Sequence, residues 1–235
     1  LGLLVACAVV GTLVLGRRWY LAGLMTACVG LAAWSVRGGS MLYVLLRADS
    51  TGANGRVFLQ LLGELIVFFF VIGAMWNFLW VRHFRAGLAA APRADEQNRS
   101  PGAAILAQIG LMAVLLLILA ATARKKQILA AVFIAGWAAT GIAEAYFADR
   151  KAARWYWVGP LAVGAIGYLA NYFSAGSSAL SLEVGQMSGT FAPLSRVLPL
   201  DYASLGCAGA ILGYWMASTE QGEAKGTGEL SAEKA

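Results

Sequence analysis

Residues 57–81 read VFLQLLGELIVFFFVIGAMWNFLWV, an apolar run interrupted by one charged side chain, Glu64. A helix of about 20 apolar residues spans the ~30 Å hydrocarbon core of a bilayer, so this run is predicted to be a transmembrane helix. A carboxylate at that depth costs roughly 2.5–3.5 kcal/mol on insertion scales. Glu64 therefore requires either a partner or a function.

The rest of the chain has the same apolar character. Of its 235 residues, 60% are hydrophobic and only 13% are charged. Soluble domains have about 50% apolar and about 25% charged residues. The alternating ~10-residue segments of a transmembrane β-barrel are absent from the sequence. These features predict an all-α fold, a polytopic transmembrane helical bundle formed by residues 1–218.

Seven apolar segments are predicted to be spans, and they cover about 1–15, 19–36, 57–81, 102–123, 127–148, 154–174 and 201–218. The first segment is short for a span and lacks a basic leader, so we expect it to be the end of a truncated helix. The loop 175–200 carries few charges and is a candidate re-entrant segment. The polar stretch 219–235 is predicted to be a disordered tail.

Lysine and arginine lie in short clusters between the apolar segments, which is typical of topology signals and contacts with lipid headgroups. The bilayer is thus an expected partner and nucleic acid is not. The distribution favours a cytoplasmic tail, although the densest cluster, Arg124-Lys125-Lys126, falls on the opposite side. Arginine exceeds lysine, and alanine and glycine are abundant. This composition is typical of a GC-rich bacterial genome, and we expect a location in the bacterial inner membrane.

Glu64 has two possible roles. Gln60 precedes it by four residues and shares its helix face, while Arg56 lies two turns away at the predicted membrane edge. One hypothesis is a proton or cation relay, or a contact with a transported substrate. The other is a buried carboxylate that hydrogen-bonds to another helix and fixes its packing.

Two further polar residues are candidates for an intramembrane site. Glu144 lies near the end of the fifth segment, beside Asp149-Arg150-Lys151, where an ion pair at the membrane edge would explain it. Asn171 in the sixth segment can hydrogen-bond across a helix contact. If Glu64 and Glu144 met in the fold, a transport function would gain support.

Small residues recur at helical spacing in the last two segments. Such faces let helix backbones approach closely, so these helices are expected to pack tightly against each other or against another chain. The residues concerned are Gly164 and Gly167 in the sixth segment, and Gly206, Gly209 and Gly213 in the seventh. Asp201, two residues after Pro199, is predicted to be the N-cap of the seventh helix, accepting from the Ser204 backbone N–H.

No catalytic, metal or cofactor site is predicted. The single histidine, His83, lacks the further ligands that haem or zinc sites normally need. The three cysteines form no CxxC pair and lie in apolar segments, as inert thiols do.

The sequence supports three functional hypotheses. The first is a non-enzymatic structural or accessory subunit of a larger membrane complex, whose partners are other membrane-protein subunits. The alternative is a small-solute or ion transporter or channel that uses Glu64. The third is an intramembrane enzyme, which the missing motifs disfavour.

Overall fold

A computed structural model describes residues 20–37, 39–41, 43–45, 56–83, 101–120, 124–147, 155–174 and 192–218. These residues form helices and turns, with no strand among them. The predicted first segment 1–15, the tail 219–235 and residues 175–191 of the candidate re-entrant loop lie outside the described residues.

Five long helices come first along the chain: α1 (Tyr20–Arg37), α2 (Arg56–His83), α3 (Pro101–Leu119), α4 (Lys125–Phe147) and α5 (Val158–Ser174). A short helix α6 (Ala192–Ser195) follows. Helix α7 then begins with Pro199–Asp201, passes through a π-helical turn, Tyr202–Gly206, and continues over 207–218. Proline opens α3 and α7, because its fixed φ suits the first helical turn and its missing N–H costs nothing there.

Three helices are long and apolar enough to cross a membrane, within Arg56–Asn77, Gly102–Leu119 and Lys125–Phe147. A shorter apolar helix covers Val158–Phe173. The prediction of an all-helical fold with membrane-length apolar helices is therefore confirmed for the part of the chain that the structure describes.

Helix α4 packs against both α3 and the start of α7. It is rich in alanine and glycine, and its buried residues lie on a broad face. Helix α3 packs against one side of it through a buried stripe at four-residue spacing, Ala104, Gln108, Met112 and Leu116, all fully buried. Small side chains on α4 allow this close approach, while Met112 and Leu116 supply the apolar bulk between the helices.

Helix α7 runs parallel to α4 on its other side, with backbones in close contact. A Cβ added to Gly136 of α4 would lie 2.6 Å from the carbonyl oxygen of Gly206. A Cβ added to Gly209 or Gly213 would meet the carbonyl oxygens of Phe133 and Trp137. Side chains larger than hydrogen are therefore sterically excluded at these glycines.

The segment before α7 packs into the side of the bundle. Leu194 lies against Gly167 of α5. At a rise of 1.5 Å per residue, Gly167 is about 10 Å along the helix from the end of α5. The hydroxyls of Tyr202 and Tyr168 donate to the carbonyl oxygens of Leu194 at 2.8 Å and Val197 at 2.5 Å. These bonds satisfy backbone groups that burial removes from solvent, the condition that a segment dipping into a membrane must meet.

Candidate functional site

One carboxylate, Asp201, joins three helices at one end of the bundle. The Nζ atom of Lys125 in α4 donates to both carboxylate oxygens of Asp201, at 2.7 Å each. The hydroxyl of Ser35 in α1 donates to Oδ1 of the same carboxylate. The side chain of Asp201 is 1% exposed and that of Lys125 is 16% exposed. These three residues, here called the Asp201 cluster, connect helices that are far apart in the sequence.

The predicted N-cap role of Asp201 is wrong. The N-cap of α7 is Leu198, and Asp201 occupies the third helical position, from which its Oδ2 accepts the backbone N–H of Leu198 at 3.2 Å. Ser204 instead donates its hydroxyl to the backbone carbonyl of Asp201 at 3.4 Å. The helix starts earlier than expected because Pro199 is favourable in the first turn, which leaves the carboxylate free to reach α1 and α4.

The Asp201 cluster is arranged to hold helices together rather than to activate a nucleophile. A serine nucleophile requires a base that removes its proton. Here the acceptor for the Ser35 hydroxyl is a carboxylate that already pairs with Lys125 through both of its oxygens. Ser35 is also only 1% exposed, which leaves no route for a substrate. A buried, fully paired charge of this kind is expected to specify how the helices assemble.

A second polar group lies toward the opposite end of the bundle, between α3, α4 and the turn before α5. Gln108 Nε2 donates to Thr140 Oγ1 at 2.7 Å and to the carbonyl oxygen of Tyr156 at 2.8 Å. The Tyr156 hydroxyl donates to Glu144 Oε2 at 2.9 Å. These four buried residues, here called the Gln108 cluster, hold α3 and the start of α5 against one face of α4.

One atom of the Gln108 cluster lacks a donor. Gln108 Oε1 is buried and accepts no hydrogen bond within the described part of the chain. It lies beside Gly159, where an added Cβ would come within 2.5 Å of this oxygen. The absence of a side chain at Gly159 therefore provides the room that the amide occupies.

Neither Gln108 nor the role of Lys125 is among the residues predicted from the sequence. Gln108 is the only amide in its apolar segment, and the argument applied to Glu64 at membrane depth applies to it as well. In the sequence, Lys125 is part of the basic cluster Arg124-Lys125-Lys126, which indicates membrane topology. Its pairing with Asp201 joins residues 76 positions apart, and no local pattern indicates it.

Glu64 and Gln60 are both exposed on α2. Glu64 lies on the flank of the buried stripe that contains Leu61 and Leu65, close enough to interact electrostatically with the buried Tyr168 of α5. No hydrogen bond or ion pair links Glu64 to a described residue, and Arg56, also exposed, does not pair with it. The two predicted roles of Glu64, as a relay and as a packing residue, both stay predictions.

Glu144 and Asn171 are buried, at 5% and 6% exposure. Glu144 accepts the hydroxyl of Tyr156, while the predicted charged neighbours 149–151 lie outside the described residues. Asn171 Nδ2 donates to the Gly167 carbonyl within its own helix at 2.9 Å. Glu144 therefore belongs to the interior of the bundle, whereas Glu64 lies on its outer surface.

The predicted packing glycines lie at three different contacts. Gly209 and Gly213 face α4, and Gly206 lies between Pro160 of α5 and Val132 of α4. A Cβ on Gly164 would come within 2.7 Å of the Tyr202 ring. The two predicted glycine faces thus meet near the π-helical turn, but most of the α7 face packs on α4.

Across the described residues, no three His, Cys, Asp or Glu side chains are grouped closely enough to hold a metal ion. Comparison of the chain with protein families, with characterised proteins and with solved structures finds no match.

Proposed function

We propose that this chain is a multi-pass protein of the bacterial inner membrane with about seven helices in the bilayer, and that it acts as a non-enzymatic accessory subunit of a larger membrane complex. The observation that carries the proposal is the outer face of α2. This face presents a carboxylate, an amide and an uncovered glycine to the surroundings of the bundle.

The outer face of α2 is a continuous stripe along the helix. Leu59, Val67 and Phe70 are 42%, 59% and 68% exposed, as suits contact with lipid. Gln60 and Glu64 are also exposed and lie along one flank of this stripe. In contact with lipid alone, an unpaired carboxylate costs roughly 2.5–3.5 kcal/mol. A second helix that carries a hydrogen-bond donor or a cation would remove that cost.

Gly63 supports a helix as the occupant of this face. A Cβ added to Gly63 would meet no atom within 4 Å, so the helix backbone is open to a neighbour at this point. Transmembrane helices associate through small residues that permit close approach and through polar residues that hydrogen-bond across the contact. Gln60, Gly63 and Glu64 combine both features within about one turn of α2.

The transporter alternative receives less support from this arrangement. Functional carboxylates in transporters face the bundle interior or a water-filled cavity. Glu64 is exposed on the flank of α2, whereas the interior carboxylates, Asp201 and Glu144, accept hydrogen bonds from neighbouring helices and turns. An accessory subunit accounts for both the outward carboxylate and the tightly joined interior.

Site-specific photo-cross-linking in native membranes tests the proposal. A benzophenone amino acid at Gly63 should produce one discrete heavier adduct with another membrane protein. The matched control is Gly110 on the outer face of α3, which is likewise exposed and has nothing within 4 Å of an added Cβ. Equal adducts at both positions, or none at 63, contradict a partner at this face.

A second measurement concerns the carboxylate itself. Glu64→Leu should reduce co-purification of the cross-linked protein in mild detergent by about 10-fold, because the substitution removes one buried charge-assisted hydrogen bond to the partner. Val67→Leu, on the same face, should leave it unchanged. An adduct of twice the mass of the chain identifies the partner as a second copy, and transport that depends on Glu64 without any partner would overturn the proposal.

A further inference from the structure

Three basic residues are neighbours in the sequence of the Asp201 cluster, at the same end of the bundle. Ser35 and Lys125 both contact the same carboxylate. Arg37 is two residues beyond Ser35, and Arg124 and Lys126 flank Lys125 on either side. Each of the three is therefore within two residues of a member of the Asp201 cluster: Arg37 at the end of α1, Arg124 just before α4 and Lys126 in its first turn. We call Arg37, Arg124 and Lys126 the basic rim.

The basic rim has no counter-charge of its own. All three side chains are exposed, and none forms an ion pair with a residue that the structure describes. The carboxylate of Asp201, in the adjacent cluster, is engaged by Lys125 through both of its oxygens. Pairing inside the bundle thus leaves a net positive surface at its edge.

Apolar side chains lie next to these cations. Trp34 and Val36 on the last turn of α1 are 66% and 54% exposed, immediately before Arg37. An exposed tryptophan beside an arginine at a helix end is typical of the interface between hydrocarbon and headgroups. A ligand of this surface is therefore expected to combine an anionic group with an acyl chain.

We propose that the basic rim binds the phosphate group of an anionic phospholipid, whose acyl chains lie along Trp34 and Val36. This inference rests on the proposed membrane location but not on the proposed partner at α2. Cations between helix ends attract anionic headgroups, each contributing about 5-fold in affinity near the membrane surface. The Asp201 cluster supports the rim, because it holds the end of α1 beside the start of α4.

Lipid binding to the purified protein in a neutral maltoside detergent tests the inference. Phosphatidylglycerol and phosphatidylcholine with identical acyl chains are added separately, and bound lipid is counted by native mass spectrometry alongside the melting temperature. Phosphatidylglycerol should bind and raise the melting temperature, and phosphatidylcholine should do neither. Raising salt from 0.1 to 1 M should weaken the effect, since the screening length falls from about 10 to about 3 Å.

Two matched variants locate the effect. Arg37→Gln/Arg124→Gln/Lys126→Gln should weaken binding of phosphatidylglycerol by about 100-fold. The charge-conserving variant Arg37→Lys/Arg124→Lys/Lys126→Arg should retain binding within a few-fold and serves as the folding control.

Three outcomes overturn the inference: equal binding of both lipids, no loss in the glutamine variant, or an equal rise in melting temperature with inorganic phosphate alone. The last result would assign the site to free phosphate. Because the experiment contains no other protein, its failure leaves the proposal for α2 intact, and a failed cross-link at Gly63 does not affect lipid binding.

Discussion

The Asp201 cluster and the Gln108 cluster hold opposite ends of the same bundle by different means. At the Asp201 end, opposite charges meet and the carboxylate accepts from Lys125, Ser35 and a backbone N–H. At the Gln108 end, an amide and a hydroxyl supply the bonds, and one acceptor, Gln108 Oε1, is left over. The first cluster is charge-balanced and the second is incompletely satisfied.

Sequence separation adds to this contrast. The Asp201 contacts join residues 166 and 76 positions apart, while those of the Gln108 cluster span 12 to 48 positions. The Asp201 cluster therefore determines how distant helices close into a bundle, and the Gln108 cluster determines the register of neighbouring helices. Loss of the former is expected to be the more harmful.

The largest effect is expected for Lys125→Met. It leaves the Asp201 carboxylate buried without its cation, which costs about 3–5 kcal/mol of unfolding free energy. Unfolding in mixed micelles of increasing dodecyl sulfate measures the loss. The double variant Lys125→Met/Asp201→Leu should recover most of it, because no uncompensated charge remains. Equal stability of the single and double variants would contradict the role of the ion pair.

Ser35→Ala should have a smaller effect at the same cluster. Hydrogen bonds to charged groups contribute about 1.5–3 kcal/mol, and here Lys125 still neutralises the carboxylate. We therefore expect a loss near the lower limit, measured by the same unfolding assay. Val29→Ala, at an exposed position of the same helix, is the control and should be nearly neutral. A loss as large as that of Lys125→Met would show that the hydroxyl, rather than the cation, dominates the cluster.

Gly159→Ala is expected to destabilise the opposite end. The added methyl group would overlap the Gln108 amide, and overpacking of this kind costs about 1–3 kcal/mol. Gln108→Ala in the same protein should relieve the overlap, so the two substitutions should be strongly non-additive. Gly110→Ala, which meets open space, is the control and should not destabilise the protein. Strict additivity of Gly159→Ala and Gln108→Ala would refute the contact.

The smallest effect is expected for Gln108→Leu. It removes two hydrogen bonds, but it also removes the buried acceptor that has no donor, so the net loss should be about 1 kcal/mol or less. Thermal unfolding in detergent provides the measurement. A loss above that of Ser35→Ala would mean that the Gln108 cluster is the stronger of the two and would reverse the comparison.

The helices themselves were largely predictable from the chain. The apolar segments near 57–81, 102–123 and 127–148 correspond to α2, α3 and α4, because hydrophobicity over a bilayer thickness and helix formation are properties of a continuous stretch. The glycines that permit close packing were also recognisable from their spacing. The helix that these glycines mainly contact, α4, was not predictable, because spacing does not indicate which helix a face will meet.

Polar residues were predicted with less success, for a physical reason. Depth in the membrane identified Glu64 as costly, and the same reasoning would have identified Gln108. Depth does not reveal the direction in which a side chain points. In the structure Glu64 is exposed on α2, while Gln108 points toward α4.

The amino-acid sequence alone was sufficient to predict the all-helical class, the positions of the long apolar helices and the presence of a costly carboxylate at residue 64. Only the tertiary structure could show that Asp201 pairs with Lys125 and Ser35, and that Glu64 lies on the outside. Hydrophobic length and helical period act within one segment, whereas a buried ion pair depends on distances between helices that are set when the bundle closes.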